Sequence, residues 1–185
     1  MIEEEEEKVV TIQAINSSVY FYSEISRDSV FKLITILKEV EQKVLKMAVD
    51  FPDYEPTITL YIHSEGGDIF AGFSAMDHIR NCRVPVTTIA DGQCASAATF
   101  ILLSGSKRIV YRHAMVLIHQ ISINGFWGNF QELKKEFENN EKFMNILKKF
   151  YKENTKIPAK TMNELMNHDI YLTAEDCSKY GIAYP

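Results

Sequence analysis

The sequence predicts an α/β fold in a single domain. Three observations lead there. β-prone and helix-prone stretches alternate through the middle of the chain in the order β-α-β-α-β. A glycine pair, Gly66-Gly67, follows one apolar strand-like run directly. A second such run, residues 84–90, leads through Asp91-Gly-Gln-Cys-Ala-Ser96 into an apolar stretch ending near Leu103. This alternation implies parallel strands joined by right-handed crossovers, and sites in such sheets lie past the C-terminal ends of the strands.

Bulk properties narrow the class. A chain of 185 residues suits one domain with a sizeable core. Its net charge of −5 argues against nucleic acid as the main partner. Cys82, Cys94 and Cys177 have no metal-ligand spacing, so no metal or cofactor is expected. Their odd number suits free thiols in a reducing, cytoplasmic setting. No apolar run reaches transmembrane length, so no membrane partner is expected, and the acidic start does not read as a secretory signal.

Glu3 to Glu7 are consecutive glutamates that repel one another, and residues 1–8 are expected to form a solvated, mobile tail. Residues 9–12 and 19–22 are short β-prone runs. Ser26 then starts a helix, with Val30, Leu33, Ile34, Leu37, Val40 and Val44 at helical spacing up to about Ala48. Pro52 and Pro56 break it. Residues 57–62 read as a central strand, and a helix is expected from about Asp68 to Asn81. The glycines between them let backbone amides turn outward, although a plain tight turn reads equally well. The G-x-G-x-x-G spacing of a dinucleotide site is missing.

After residues 84–90, Asp91-Gly92 is expected to turn the chain and Ser96 to open a helix running to Leu103. Residues 109–111 and 115–118 are further strands, the second ending in His119-Gln120. Residues 121–126 are loosely β-prone. A long polar helix is expected over residues 130–154. It reads either as a projecting helix with an apolar edge for a partner or as an ordinary amphipathic surface helix. Pro158 opens a shorter helix to Met166, and Thr173 caps a last one ending at Gly181.

The chemistry-bearing residues converge. Ser96, His119 and the Gly66-Gly67 pair each lie just past a strand end, so one crevice can hold all three. A serine nucleophile needs a base within hydrogen-bond reach, and that base needs a third group to fix its tautomer. Ser96, His119 and Asp169 supply these types. Taken singly, each has a plainer reading: an N-cap serine, a core histidine and a turn aspartate. The G-x-S-x-G elbow is missing, because Cys94 and Ala98 occupy its glycine positions, and the order Ser, His, Asp differs from that of α/β hydrolases.

Five segments together resemble the Clp protease proteolytic subunits, the ClpP peptidases. They are Ile58-Thr-Leu-Tyr-Ile-His-Ser-Glu-Gly-Gly67, Gly92-Gln-Cys-Ala-Ser96, Val116-Leu-Ile-His-Gln120, Asp169-Ile-Tyr-Leu-Thr-Ala174 and Tyr180-Gly-Ile182. The resemblance covers residues 19–183 and implies a ClpP/crotonase-like α/β fold, with repeated β-β-α units in a spiral and a protruding handle helix. Residues 1–185 would then be one peptidase domain, with 122–154 as the handle strand and helix. The resemblance implies a serine endopeptidase with Ser96 as nucleophile, His119 as general base and Asp169 as its orienting carboxylate. It also implies an oxyanion hole made by the backbone N–H groups of Gly67 and Ala97, and a peptide-binding strand containing Ile123, Asn124, Gly125 and Phe126. The expected partners are identical subunits in a heptameric ring, stacked as a tetradecamer, an AAA+ unfoldase, and peptide or unfolded-protein substrates.

Some positions differ from that family's usual pattern. Glu65 and Ile121 stand where proline is usual, and Ala97 and Ala98 replace a bulkier residue and a glycine. Thr59 and Asn81 are polar where the unfoldase-docking pocket is commonly apolar. Two other functions fit parts of the pattern. Crotonase-type acyl-CoA enzymes share the spiral and an amide oxyanion hole but do not need the triad. A non-catalytic or latent ring subunit typically loses triad residues, whereas all three are present here.

Overall fold

The computed structural model describes residues 11–122, 125 and 127–185. β1 (Thr11–Ile15) and β2 (Ser18–Tyr22) form an antiparallel hairpin. It turns at Asn16, whose φ of 57° is a left-handed value that asparagine adopts more readily than most residues. α1 (Arg27–Asp50) starts at Ser26, whose side chain accepts from the Ser29 N–H while the Ser29 hydroxyl accepts from the Ser26 N–H. Its buried face contains Val30, Leu33, Leu37, Val40 and Val44, as the spacing predicts, with Ile34 only partly covered.

β3 (Ile58–Ser64), α2 (Ile69–Arg80), β4 (Val86–Ala95) and α3 (Ala98–Ser104) follow. Next come β5 (Lys107–Val110), β6 (Met115–Leu117), α4 (Phe130–Asn154), α5 (Ala159–Asn167), β7 (Tyr171–Leu172) and α6 (Ala174–Lys179). The strands form one sheet in the order β1-β2-β3-β4-β6-β7, with β5 also pairing with β4. Its centre is parallel, as the alternation predicts, and the β1–β2 and β6–β7 pairs are antiparallel.

Two expectations about β4 and its exit are corrected. Asp91-Gly92 does not end the strand, which runs on to Ala95. Gly92, at φ 97°, lets the chain bulge instead: four steps on β4, Ala90 to Cys94, face two on β3, Ile62 to Ser64. The bulge also switches neighbours. Residues Thr87 to Ala90 pair with β5, and Gln93 to Ala95 pair with β6. The second correction is that Ser96 does not cap a helix. α3 begins two residues later and has no side-chain cap.

α4 divides into two parts. Near its C-terminal end Leu147, Phe150 and Tyr151 are buried. Phe150 meets Phe100 of α3 nearly perpendicularly at 5.2 Å, and Phe100 stacks on Phe73 of α2 at 4.7 Å. Such pairs contribute roughly 0.5–1.5 kcal/mol each beyond the area they bury. Nearer its start, Phe130 and Phe137 are 75% and 72% exposed. The Asn129 side chain accepts from the N–H groups of Gln131 and Glu132 and so fixes where this helix begins.

Candidate active site

β3, β4 and β6 run parallel and end at the same edge of the sheet. Gly66-Gly67 follows the end of β3, Ser96 follows β4, and His119 lies two residues past β6. Gly67, Ser96, Ala97 and His119 line one cavity of about 380 Å³. Its walls are completed by Asp68, Ile69, Phe100, Gln120, Ile121, Ser122, Leu147 and Tyr151. The crevice expected from strand ends is therefore present, with an apolar side supplied by α2, α3 and α4.

Ser96 has φ 55°, a left-handed conformation that costs a residue with a Cβ and persists only where the surroundings hold it. Its N–H donates to the Leu117 carbonyl at 2.8 Å, which ties it to β6. Its carbonyl accepts from the Thr99 N–H at 3.0 Å and the Thr99 hydroxyl at 2.6 Å. The turn thus sets the serine between strand and helix without elbow glycines. Room comes from a different strand: a Cβ on Gly66 would lie 3.2 Å from the Ala97 nitrogen.

The glycine loop is held on both sides. The Gly66 N–H donates to the buried Ser64 hydroxyl at 3.1 Å. Ile25 brackets the pair, donating its N–H to the Gly66 carbonyl at 2.7 Å and accepting from the Asp68 N–H at 2.8 Å. Asp68 caps α2 through its bond from the Ala71 N–H. Among the described residues, the Gly67 and Ala97 N–H groups donate to no other group of the chain. Two unpaired amide donors therefore sit in the same cavity as the serine.

Asp169 is exposed and does not line the cavity. No hydrogen bond joins Ser96 to His119, or His119 to Asp169, among the described residues. The strand order nevertheless relates them. β6 pairs with β7 as Val116 with Leu172 and Leu117 with Tyr171. His119 lies two residues past the end of β6 and Asp169 two residues before β7, where the ladder has stopped: the Ile170 N–H donates to the His168 carbonyl and the Gln120 N–H to the Met166 carbonyl. Ser96 follows β4, His119 follows β6 and Asp169 precedes β7, three strands that are adjacent in the sheet.

Ile123, Asn124 and Phe126 of the expected peptide-binding strand lie outside the described residues, and Gly125, which is described, belongs to no strand. Among the described residues no cluster of His, Cys, Asp and Glu could hold a metal ion, and no helix is long and apolar enough to cross a membrane.

Two residues at the site escape the sequence reading, Thr99 and Tyr151. Tyr151 lines the cavity, and its hydroxyl lies 2.6 Å from that of the buried Thr99. The one available signal is a tyrosine within the apolar stripe of α4, since a buried phenol needs a polar partner.

The Clp protease family model matches residues 13–184. Similar curated proteins carry the name "ATP-dependent Clp protease proteolytic subunit". One from Deinococcus radiodurans is 30% identical over 138 residues, covering 74% of this chain and 67% of that protein. One from Adiantum capillus-veneris is 33% identical over 140 residues, covering 75% and 70%. One from Chaetosphaeridium globosum is 31% identical over 152 residues, covering 80% and 76%.

Proposed function

The chain belongs to the Clp protease family, and on that premise we propose that it is a serine endopeptidase subunit with Ser96 as nucleophile, His119 as general base and Asp169 as the carboxylate that orients His119. The observation that carries this reading is the convergence of Ser96, His119 and the unpaired Gly67 and Ala97 amides on one cavity. The antiparallel β6–β7 pairing, which brings the chain just before β7 to the edge where β6 ends, supports the third role.

The chemistry follows from these positions. Ser96 Oγ attacks the scissile carbonyl as His119 takes its proton. The Gly67 and Ala97 N–H groups hold the oxyanion that forms. One such donor is worth roughly 3–4 kcal/mol of transition-state stabilisation. The intermediate collapses to an acyl-enzyme, and His119 gives its proton to the leaving amine. Water, activated by His119, then releases the acid and restores Ser96. The peptide would lie along the segment containing Ile123, Asn124, Gly125 and Phe126, which follows Ile121 and Ser122 in the cavity wall.

Substrates are peptides and unfolded proteins, cleaved inside a ring of identical subunits. The ring is heptameric and pairs face to face as a tetradecamer, with an AAA+ unfoldase as feeding partner. Exposed Phe31 and Phe70 line a groove between α1 and α2, and Phe130 and Phe137 stand out on α4. Apolar surface of that kind supports covered faces in an assembly. A second reading is a subunit latent on its own, favoured by the absence, among the described residues, of hydrogen bonds between Ser96, His119 and Asp169.

The test is hydrolysis of a fluorogenic peptide and fluorophosphonate labelling, for wild type and Ser96→Ala, beside native mass measurement. Activity and labelling that vanish with Ser96 are expected. Wild-type rates in Ser96→Ala would overturn the assignment, and an intact ring with no activity would favour the latent subunit.

A further inference from the structure

Thr99 and Tyr151 join the α4 helix to the backbone of Ser96 by two short hydrogen bonds. The Thr99 hydroxyl donates its one proton to the Ser96 carbonyl at 2.6 Å. The 2.6 Å contact with Tyr151 must therefore have the phenol as donor and Thr99 Oγ1 as acceptor. Tyr151 is only 2% exposed and Thr99 is fully buried, so both hydroxyls are largely shielded from water. Burial also pushes the Tyr151 phenol well above its usual value, which keeps it a donor at working pH.

A threonine hydroxyl bonded to a carbonyl three residues back is common in helices and would mean little alone. Here the carbonyl belongs to the left-handed residue at the exit of β4. The helical N–H bond from Thr99, at 3.0 Å, shares that carbonyl. On the other side the Ser96 N–H is held by Leu117, two residues before His119. The strained turn is thus clamped between β6 and the Thr99–Tyr151 pair. Tyr151 cannot drift, because its ring packs against Phe150 and Phe100.

We propose that Thr99 and Tyr151 are positioning residues that hold Ser96 in its left-handed conformation, so that α4 sets the geometry of the nucleophile. This rests on Ser96 being the nucleophile. The pair acts through the Ser96 backbone and touches no reacting atom. Losing it lets the turn relax toward ordinary backbone angles and moves the Oγ away from its attack position, a displacement felt in kcat more than in KM.

The test compares Thr99→Val, Tyr151→Phe, the double variant and Thr99→Ser with wild type, in the assembled protein. The readouts are kcat and KM on a fluorogenic peptide and the rate of fluorophosphonate labelling of Ser96. Each single loss is expected to lower kcat and labelling about tenfold with KM within about twofold. The double variant should lose about tenfold again relative to wild type, not a hundredfold, because the two groups act as one link. Thr99→Ser should restore about half the wild-type rate or more, since it keeps the hydroxyl.

Wild-type kcat in either single variant, multiplying losses in the double variant, or a Thr99→Ser protein as slow as Thr99→Val would overturn the proposal. Should Thr99→Val fail to fold, Tyr151→Phe and Thr99→Ser decide alone. Failure here is separable from failure of the nucleophile assignment. If Ser96→Ala is silent while Thr99→Val runs at the wild-type rate, only the link falls.

Discussion

A Cβ placed on Gly66 would lie 2.6 Å from the Cβ of Ser96 and 2.7 Å from the Ala95 carbonyl oxygen. Neither neighbour can yield, since both belong to the turn that carries Ser96. Gly66 also has φ 99°, outside the range of ordinary L residues. Gly66→Ala is therefore expected to displace Ser96 directly. Initial rates on a small peptide should fall about a hundredfold or more, the scale of a misplacement near 1 Å. Fluorophosphonate labelling should fall in parallel. Labelling at the wild-type rate would show that the loop gives way without moving the serine.

Gly67 is constrained from the opposite side. Its added Cβ would meet the Ile25 carbonyl oxygen at 2.2 Å, the group that accepts from the Asp68 N–H. Gly67→Ala must therefore open the Ile25 bridge as well as disturb the amide in the cavity. A stability loss of about 1–3 kcal/mol is expected, from backbone strain and a lost backbone bond, along with lost activity. Urea unfolding measures the first and peptide hydrolysis the second.

The α1 stripe was legible because its period matches one turn of helix and its N-cap is a serine whose bonds are local. Both features depend only on neighbouring residues. The end of β4 was not legible, because Asp91-Gly92 carries the same local signal in a bulge as in a turn. What decides between them is the switch of neighbour from β5 to β6, which no local window contains. The helix expected from about Ser96 begins two residues later, at Ala98, for a related reason. Ser96 takes a positive φ because Leu117 and Thr99 hold both its backbone groups. The residue types at the site were readable in the sequence. Asp169 was readable only as a residue before a short extended run, and its place outside the cavity is not expressed in any local window. Thr99 was read only as part of an apolar helix, since its partner lies 52 positions away.

The thiols are expected to be sluggish. Burial pushes the Cys177 thiol up to about 12, with nearby Asp176 adding to it. Burial raises Cys82 to about 11, again with help from a carboxylate, Glu41. Cys94 is fully buried and is raised further still. The thiolate is the reactive form, so almost none is available near neutral pH. A disulfide-exchange reagent should find almost no fast-reacting thiol in the folded protein at pH 7.5, and all three after urea unfolding. A fast-reacting Cys94 in the folded protein would contradict its burial in β4, two residues before Ser96.

Arg108 fastens the end of α4 to the C-terminal segment. Its Nη1 donates to the Asn154 carbonyl at 2.9 Å and its Nη2 to the Gly181 carbonyl at 3.2 Å. A guanidinium beside the last carbonyl of a helix also faces the negative end of its dipole. Arg108→Met keeps much of the packing but leaves both acceptors without these donors. A loss of about 1.5–3 kcal/mol in urea unfolding is expected, the usual range for bonds to a charged group. Arg108→Lys should recover only part of it, because a single ammonium does not reproduce the two-pronged geometry. Full recovery with lysine would mean that charge alone is what the site requires.

Asp176 makes the start of α6 acid-sensitive. Its carboxylate accepts from the Thr173 hydroxyl at 2.7 Å and the Thr173 N–H at 3.1 Å. These bonds hold its carboxyl below the usual carboxylate range, the hydroxyl contributing most and Lys179 adding a little, against a small opposing effect of burial. A folded-state value below the unfolded one means that the folded chain favours the ionised form. The contribution is therefore fully present above about pH 4, near the ordinary aspartate value, and is lost as pH falls through the lowered folded value. Because the group is largely exposed, the effect is small and screened by salt. The urea midpoint of wild type should fall more steeply between pH 5 and pH 2 than that of Asp176→Asn, whose amide does not titrate. Parallel curves for the two proteins would show that the capping bonds of α6 do not couple to protonation.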